Sequence, residues 1–274
     1  MKIINLIENT KGENPCLIEH GLSFYIETGN HKLLVDTGAS DAFLNNAKIL
    51  GVDLTEVDTV ILSHGHYDHA GGILSFLEQN QTATVYMQQS AGDKYYHKST
   101  TEERYIGIDP QIMESKQLHC VEGNHCIDNE LFLFSGIKER KLWPSGNRVL
   151  KVKREDKFVQ DEFAHEQYLV MEEKGKRVLI SGCAHNGILN ILEEYERIYG
   201  GAPDVVISGF HLMKKSEYSH EDVEMIRRIS MELKERSNTR FYTGHCTGEI
   251  PFQIMHEMMG EQLVYVHSGD TIEC

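Results

Sequence analysis

The sequence predicts an α/β fold in which two mixed β-sheets lie between flanking helices. Strand-like and helix-like segments alternate near the start of the chain and again after residue 165. The chain has 274 residues with only 5 prolines, and it shows no internal repeat or Pro-rich linker. Because single α/β domains often reach about 250 residues, we predict one domain over residues 1–274.

The N-terminal part of the chain is predicted to alternate between strands and helices. Strands are expected over residues 3–7, 22–27 and 32–36, with a hairpin turn at 28–31. A helix follows from Ser40, a preferred capping residue, to about residue 50, with Gly51 just past its end. A short strand over 57–62 stops at Ser63, a second helix begins near 71–72, and another strand covers 82–87.

The C-terminal part repeats this alternation. Two paired strands are predicted over residues 168–172 and 177–182, followed by a helix over 186–199 and a strand over 204–209. Ser219 and Asp222 resemble a capping box that opens a helix ending near residue 236. A strand over 240–244, a helix over 249–259 and a closing strand over 263–267 complete the domain.

The segment from about residue 88 to 162 lacks clear periodicity. We predict that it is an irregular insertion lining the active site as a wall or lid. It carries a run of basic residues, namely Lys138, Arg140, Lys141, Arg148, Lys151, Lys153, Arg154 and Lys157. This run is typical either of a solvated hairpin or of a positive rim that guides an anionic substrate.

The composition argues against two classes of protein. A net charge of -15, from 27 basic and 42 acidic side chains, disfavours nucleic-acid binding, which depends on phosphate neutralisation by Lys and Arg. No apolar run approaches ~18 residues, so no membrane span is expected. The first residues lack the features of a secretory signal, and the 6 cysteines contain no CxxC pair. The predicted location is therefore cytoplasmic.

The segment that begins at Ser63 carries the strongest chemical signal, since it reads Ser-His-Gly-His-Tyr-Asp-His. His64 and His66 are spaced so that both side chains project the same way from extended backbone and can hold one ion. Asp68 and His69 follow where the chain turns towards a helix, so they can face a second ion. Neutral imidazole and carboxylate are ligands that zinc-type ions accept.

Further short motifs occur in order along most of the chain. They are Glu19-His20-Gly21-Leu22-Ser23, Val35-Asp36-Thr37-Gly38, Gly182-Cys183-Ala184-His185, Gly209-Phe210-His211-Leu212 and Gly244-His245-Cys246-Thr247-Gly248. Together with residues 63–69 (the histidine motif), they resemble the metallo-β-lactamase superfamily. Within it they resemble the subgroup named for 7,8-dihydropterin-6-yl-methyl-4-(β-D-ribofuranosyl)aminobenzene 5′-phosphate synthase. The resemblance implies an αββα sandwich with a one- or two-metal site between the sheets.

The resemblance also implies roles for individual residues. The expected metal ligands are His64, His66, Asp68, His69, His185 and His245. His64 and His66 are expected to bind the first metal, Asp68 and His69 the second, and His245 completes the second site. Asp36 is similar to the buried carboxylate that orients a ligand histidine, which fixes the tautomer of the ring.

Two positions depart from the superfamily pattern. The bridging aspartate normally follows a strand as Gly-Asp, but this chain has Cys183 after Gly182. Cys183 is either a thiolate ligand, a neighbour of the ligands or a packing residue. His185 is expected to complete the first site, with His165 as the alternative. Without a carboxylate bridge, the second metal is expected to bind more weakly than the first.

Two divalent metal ions are the expected cofactors. Zinc is favoured, with manganese or iron as alternatives, because the ligand types alone do not separate these ions. His66 stands where the flavodiiron oxygen reductases of this superfamily carry a carboxylate, which favours a redox-inert ion.

Several residues are candidates for contacting the substrate. His211 ends a strand on the same edge as the ligands, and His20 is similar to it. Thr247 precedes a helix, where backbone N–H groups bind anions. Arg104 and Tyr105 combine a cation with an aromatic ring, which suits a flat ring bearing a phosphate. The expected partner is a small phosphorylated or carboxylated molecule, and a homo-oligomer is left open.

The function expected from this site is metal-dependent hydrolysis. The metal would lower the pKa of a bound water, while Asp68 orients the nucleophile or accepts its proton and His211 donates a proton. One alternative is the condensation named by the subgroup, which joins a pterin diphosphate to an aminobenzene ribofuranosyl phosphate. A second alternative is a non-catalytic sensor of metal or ligand.

Overall fold

Two mixed seven-stranded sheets, packed face to face between helices, form the centre of a computed structural model that describes residues 1–274. The strands are β1 (Lys2–Ile7), β2 (Ser23–Glu27), β3 (Lys32–Val35), β4 (Thr59–Ile61), β5 (Thr84–Gln88), β6 (Tyr95–Lys98), β7 (Glu103–Tyr105), β8 (Leu118–Val121), β9 (His125–Cys126), β10 (Leu131–Ser135), β11 (Leu150–Arg154), β12 (Lys157–Gln160), β13 (Gln167–Glu173), β14 (Lys176–Ile180), β15 (Val205–Ile207), β16 (Arg240–Thr243), β17 (Leu263–Tyr265) and β18 (Thr271–Glu273). The helices are α1 (Ala42–Ile49), α2 (Tyr67–Ala70), α3 (Ile73–Gln79), α4 (Ile188–Tyr199), α5 (His220–Lys234) and α6 (Glu249–Met259).

The predicted αββα sandwich is confirmed by the sheet order. The N-terminal sheet runs β18-β1-β2-β3-β4-β5-β8, and the C-terminal sheet runs β17-β16-β15-β14-β13-β10-β9. Each sheet combines antiparallel and parallel pairs. In β3, Leu33 and Val35 belong to the core between the sheets, whereas Leu34 packs under helices α1 and α3. This alternation buries both faces of the strand, because successive side chains point to opposite sides of a sheet.

The helices cover the outer faces of the two sheets. The outer face of the C-terminal sheet packs against α4, α5 and α6 through a cluster of 21 buried residues. The predicted capping box is confirmed at the start of α5, where the Ser219 hydroxyl accepts from the Asp222 N–H and the Asp222 side chain accepts from the Ser219 N–H. Helix α4 ends at Gly200, whose φ of 75° is favourable for glycine. No helix is both long and apolar enough to cross a lipid bilayer.

The middle segment is more regular than its sequence predicts. Strand β8 extends the N-terminal sheet, and β9 and β10 extend the C-terminal sheet. The remaining strands form a separate antiparallel sheet in the order β12-β11-β6-β7. The expectation of an irregular insertion over 88–162 is therefore wrong in part: residues 118–121 and 131–135 belong to the sandwich itself. Their pairing partners lie far away in sequence, so local periodicity does not reveal them.

The parallel strands of both sheets end at one edge of the sandwich. Val35 at the end of β3 lies opposite Ile61 at the end of β4, and Ile180 at the end of β14 lies opposite Ile207 at the end of β15. The loops that follow these strands therefore meet, as expected for a site at the carboxyl ends of parallel strands. Strand β16 ends at Thr243, directly before Gly244 and His245.

Candidate metal centre

The histidine motif is folded into a buried turn between β4 and the short helix α2. The rings of His64 and His69 are fully buried, and His66 and Asp68 are 4% and 8% exposed. A Cβ on the intervening Gly65 would collide with the backbone of Ala91, so only glycine allows this close approach. The motif is thus held against the rest of the fold with all four of its expected ligands inside.

The first group of donor atoms contains His64 and His185, whose Nε2 atoms lie 3.3 Å apart. Their hydrogen bonds show that these two atoms carry lone pairs. The Nδ1 of His185 faces the Asn147 Oδ1 at 3.0 Å, an atom that only accepts, so this Nδ1 carries the proton. Ser63 Oγ donates to a carboxylate and therefore accepts from the Nδ1 of His64 at 2.9 Å.

Two lone pairs that face each other cannot form a hydrogen bond, but they can share a cation. Nitrogens that are each 2.0–2.1 Å from one tetrahedral zinc ion lie about 3.3 Å apart. The separation of His64 and His185 has this value. Burial and the neighbouring imidazoles hold the pKa of both rings well below the ordinary value of histidine, which keeps them neutral, as metal ligands must be.

His66 lies beside this pair without joining it closely. Its ring centroid is 4.6 Å from that of His64 and 4.9 Å from that of His185. The Nε2 of His66 is buried and has no hydrogen-bond partner. Its donor atom is grouped within 4.8 Å of those of Asp161 and His165. Burial, followed by the nearby His165, lowers the pKa of His66 to about 3.

His165, the alternative to His185, has no free ring nitrogen. Its Nδ1 accepts from the Gly65 N–H at 2.9 Å, and its Nε2 donates to Asp161 Oδ2 at 3.0 Å. The side chain is fully buried. His165 therefore positions the backbone of the histidine motif, whereas His185 keeps one unprotonated nitrogen that faces His64.

The second group of donor atoms contains Asp68, His69 and His245. The Oδ2 of Asp68 lies 3.9 Å from the Nε2 of His69 and 3.6 Å from the Nε2 of His245. The Nε2 of His245 is buried without a hydrogen-bond partner. Burial raises the pKa of Asp68, but the nearby imidazoles of His245 and His69 outweigh it, so the pKa stays well below its usual range and the carboxylate is ionised.

Asp36 orients both groups. Its Oδ2 accepts from His69 Nδ1 at 2.6 Å and from Ser63 Oγ at 2.7 Å, and its Oδ1 accepts from the Ser63 N–H at 2.7 Å. Because Ser63 in turn contacts His64, one buried carboxylate fixes the tautomers of a histidine in each group. Burial lowers the pKa of His69, but the charge and hydrogen bond of Asp36 raise it more, to about 9.

Two asparagines hold the histidines that lie outside the motif. Asn147 donates from Nδ2 to the His185 backbone oxygen at 2.7 Å, in addition to accepting from its Nδ1. Asn9 makes the same pair of contacts with His245, at 3.5 Å to the backbone oxygen and 2.9 Å to Nδ1. Each asparagine fixes the ring of its histidine with Nε2 pointing away from it.

A buried carboxylate supports the loop that carries Cys183 and His185. Glu166 accepts from the backbone N–H groups of His185 at 2.6 Å and Asn186 at 2.9 Å, and from the Tyr168 hydroxyl at 2.7 Å. The sequence gives no sign of the roles of Asn147, Asn9 and Glu166, since each acts on a residue that only the fold brings near. All three lie in turns or loops, where polar residues are common, so their sequence context gives no signal.

Cys183 lies between the two groups of donor atoms. Its Sγ is 3.2 Å from the Nε2 of His69. It is within 4.8 Å of the donor atoms of His64 and His185 in one group, and of those of His69 and His245 in another. Burial raises the pKa of its thiol well above the ordinary value.

Strained backbone marks the same region. Asp36, Ala184, His211 and His245 all have φ between 49° and 60°, a range that residues other than glycine seldom adopt. Such strain persists where the surrounding structure determines the conformation, and it concentrates at functional sites.

His20 and His211 are both brought to the metal centre. The Nε2 of His20 lies 3.3 Å from Asp68 Oδ2, and its half-exposed ring stacks on His245 with centroids 5.1 Å apart. The ring centroid of His211 is 4.1 Å from that of His185, and its Nδ1 is buried without a partner. Both rings therefore lie directly beside the donor atoms.

The other three predicted substrate contacts differ in whether the structure leaves them near the histidine motif and free to bind. Arg104 reaches the motif, since its Nη1 donates to the Tyr67 hydroxyl at 3.2 Å. Tyr105 does not, because its hydroxyl donates to the Ile108 carbonyl at 2.7 Å. The structure also contradicts the anion site predicted at Thr247. Its N–H donates to Gly244, and its hydroxyl contacts Thr243 Oγ1 and the Phe210 N–H, so nothing is left for an anion.

Three of the eight residues of the basic run are neutralised by ion pairs within the fold. Arg140 pairs with Glu162, Arg154 with Asp93, and Lys141 with Glu193 and Glu232. Arg148 is exposed, and it directly follows Asn147, the residue that holds His185. The other five basic side chains of the run form no ion pair, and Arg148 is the member nearest in sequence to the site.

The donor set fits divalent metal ions. The unprotonated Nε2 atoms of His64 and His185 face each other at a separation suited to zinc. The Nε2 atoms of His66 and His245 are buried without hydrogen-bond partners. An ionised carboxylate lies beside the second pair of imidazoles. Buried polar atoms without partners are unfavourable in a native fold, and a bound cation would satisfy them.

Comparison with known proteins identifies the fold family. Residues 18–211, more than half of the chain, match the family described as the metallo-beta-lactamase superfamily. The chain belongs to this superfamily. The crystal structure of a metal-dependent hydrolase of the β-lactamase superfamily is similar over 100% of this chain and 99% of that one, with a TM-score of 0.85 and 31% identity.

Two curated relatives come from Methanocaldococcus jannaschii. One is an uncharacterised protein that is 28% identical over 97% of this chain and 98% of its own length. The other is a 7,8-dihydropterin-6-methyl-4-(beta-D-ribofuranosyl)-aminobenzene-5'-phosphate synthase, 27% identical over 100% of this chain and 96% of its own length. The similarity to the metallo-β-lactamase superfamily and to this subgroup, predicted from the motifs, is confirmed.

Proposed function

We propose that this protein is a metal-dependent hydrolase that acts on a small anionic substrate through two divalent ions, with zinc favoured. One observation carries the proposal: two groups of imidazole donors, one of them with an ionised carboxylate, converge at a single edge of the sandwich. The superfamily membership and the 31% identity to a metal-dependent hydrolase support it.

In this proposal His64, His66 and His185 hold the first ion, and Asp68, His69 and His245 hold the second. The choice of His185 over His165 is supported by the hydrogen bonds that occupy both ring nitrogens of His165. Ions bound there lower the pKa of a water molecule towards neutrality and polarise a carbonyl or phosphoryl oxygen.

The chain's own residues manage protons and position. Asp68 is ionised and lies beside the half-exposed His20, so it can accept a hydrogen bond from the attacking water and hold its orientation. His211 has a buried Nδ1 without a partner, next to His185, and in its protonated form this ring can donate to the leaving group. Asp68 belongs to the second donor group and His211 lies beside the first. This arrangement suits attack by water on one side of the reacting centre and departure of the leaving group on the other.

A preference for anions rests on the cations at the rim. Arg104 is exposed and lies over the ring of Tyr67, with its guanidinium carbon 5.5 Å from the ring centroid. Tyr67 is itself part of the histidine motif, so Arg104 contacts this motif through Tyr67, and its Nε also pairs with Glu102 at 3.3 Å. Arg148 extends from the turn that carries Asn147. In a chain with a net charge of -15, exposed cations at this place favour a phosphorylated or carboxylated substrate.

The proposal is tested by assaying the zinc-loaded protein on phosphomonoesters, phosphodiesters, carboxylic esters, lactones and thioesters. We expect hydrolysis of at least one anionic class, loss of that activity in His64→Ala, and normal activity in His220→Ala, which changes an exposed histidine at the start of α5. Full activity in a folded His64→Ala protein would contradict the proposal.

A condensing synthase is the second candidate, and the full-length similarity to a pterin-dependent synthase favours it. The same ions would then stabilise a departing diphosphate rather than activate water. Product analysis separates the two candidates, since only a synthase would join a pterin diphosphate to an aminobenzene ribofuranosyl phosphate. The amine would displace diphosphate from the pterin methylene carbon, which forms a C–N bond and releases diphosphate and a proton. Release of phosphate or carboxylate without condensation supports the hydrolase.

A further inference from the structure

Cys183 is the one residue that contributes to both groups of donor atoms around the metal centre. Its sulfur lies within 4.8 Å of the donors of His64 and His185, and equally of those of His69 and His245. We infer that Cys183 bridges the two metal ions as a thiolate, an assignment that rests on the proposed binding of two ions at this site. It would thus take the place of the carboxylate that usually follows this strand in the superfamily.

The distances on both sides of the sulfur suit this role. A nitrogen about 2.0–2.1 Å and a sulfur about 2.3 Å from the same tetrahedral zinc are about 3.5 Å apart. The Cys183 Sγ lies 3.2 Å from the His69 Nε2. On the other side, His64 and His185 present lone pairs within reach of the same sulfur. A single sulfur atom can serve both ions only from such an intermediate position.

Independent features of the structure point to a ligand at this place. His245 is 1% exposed, and its buried Nε2 has no hydrogen-bond partner, although it belongs to the group that contains Cys183. The loop that carries Cys183 is fixed by close packing, because a Cβ on Gly182 would collide with Ser63 Oγ. Glu166 binds the two backbone N–H groups that follow, at His185 and Asn186. Cys183 is thus held in place rather than merely packed.

Cys246 does not compete well for the same role. It forms a third group with Cys183 and His211. Its Sγ already accepts from the His211 N–H at 3.3 Å, and its S–H donates to the Cys183 backbone oxygen at 3.5 Å. A Cβ on Gly209 would collide with this sulfur, so it is tightly enclosed. Cys246 therefore supports the backbone of Cys183, and it serves as a matched control.

Coordination by Cys183 breaks its S–H bond and releases the proton to solvent, with no oxidation or reduction. The thiolate changes the metal preference of the centre. A sulfur ligand favours softer ions such as Zn2+ and Co2+ over Mn2+ and Mg2+, which prefer carboxylate and water. Metal selection is therefore expected to depend on one residue that departs from the superfamily pattern.

The experiment is a titration of the metal-free full-length protein with Co2+, followed through the near-ultraviolet sulfur-to-cobalt charge-transfer band. A bridging thiolate bonds to both ions, so the band grows with the first equivalent and again with the second. In Cys183→Asp and Cys183→Ser the band is lost. In Cys246→Ser and in Cys126→Ser, which changes an exposed cysteine, it persists. Two different variants at Cys183 are used so that the test still works if one of them fails to fold.

The outcomes separate this inference from the proposed function. If two cobalt ions bind without the band, or if the band stops growing at one equivalent, the bridge is contradicted while the metal site stands. A band that persists in both Cys183 variants and is lost in Cys246→Ser contradicts it too, since the sulfur ligand would then be Cys246. If no cobalt binds to wild-type protein at all, the proposed metal-dependent function itself fails.

Discussion

Asn147 and His185 are joined by two hydrogen bonds, one from the ring Nδ1 to the amide oxygen and one from the amide nitrogen to the backbone carbonyl of His185. The pair fixes both the tautomer and the orientation of a ring whose Nε2 faces His64 at 3.3 Å. Asn147 comes from a short turn in the middle segment, so this segment contributes directly to the order of the candidate metal centre.

Asn147→Ala is expected to weaken metal binding. The substitution frees the His185 ring to rotate and to exchange tautomers, and loss of such a partner typically costs about 10–100-fold in metal affinity. Competition with a chromophoric chelator measures the change. Asn9→Ala is the matched comparison, since Asn9 holds His245 in the same way, and it should weaken the second ion instead of the first. Unchanged affinity for both ions in Asn147→Ala would contradict this role.

Substitutions at Asp36 and Ser63 should separate the two donor groups. Ser63→Ala removes the hydroxyl that links Asp36 to His64 and leaves the Asp36–His69 hydrogen bond in place, whereas Asp36→Asn alters the contacts to both Ser63 and His69. We therefore expect one ion to be weakened in the first variant and both in the second. The free energy of unfolding should also fall by about 1–3 kcal/mol in Asp36→Asn, because a buried hydrogen-bonded network is disturbed. Elemental analysis and denaturant unfolding measure the two effects, and equal metal loss in both variants would rule out this division.

The stability of the metal-free protein should decrease as the pH rises from 6.5 to 9. Asp36 raises the pKa of His69 from 6.5 to about 9 in the folded protein. A raised folded-state pKa contributes stability that is complete below 6.5 and is lost as the pH passes through 9. The contribution is on the order of 1–3 kcal/mol. Thermal unfolding of the metal-free protein across this range measures it, with Asp36→Asn as the comparison.

The Asp36→Asn variant should lose much of this pH dependence, because the charge that stabilises protonated His69 is gone. A wild-type profile that is flat from pH 6.5 to 9, or identical profiles for the two proteins, would exclude the Asp36–His69 pair as the cause.

Arg104→Ala should raise KM for an anionic substrate and change kcat little. Arg104 is exposed and contacts the hydroxyl of Tyr67 rather than any donor atom, so it can assist binding without touching the ions. Removal of an interaction made equally in the ground and transition states raises KM alone. Steady-state kinetics at two ionic strengths measure the effect. Lys157→Ala, at the distal end of the middle sheet, is the control, and an equal rise in KM there would point to general charge rather than to Arg104.

The motif and the strand-end positions were predictable from the sequence because the signals are local. His64 to His69 are close together in the chain, and Asp36, Cys183, His211 and His245 each lie shortly after a strand whose pattern is readable. The parallel arrangement then brings these strand ends to one edge. The capping box of α5 was predictable for the same reason, since Ser219 and Asp222 lie within one turn.

The supporting residues were not predictable because their partners are distant in sequence. Asn147 acts across 38 positions and Asn9 across 236. Asparagine is also common in turns, so neither residue stands out. Thr247 shows the opposite failure: its position before a helix suggested an anion site, yet tertiary packing uses both its N–H and its hydroxyl. Strands β8 to β10 were missed because their place in the sheets depends on long-range pairing.

The metal content of the protein, purified without added metal, tests the central claim most directly. Elemental analysis of wild type beside His64→Ala and the surface control His220→Ala gives the identity and number of ions. Two ions per chain in wild type and control, zinc above all, and fewer in His64→Ala are the predicted result. Wild-type protein that holds no divalent metal, and takes up none when zinc is supplied, would contradict the account.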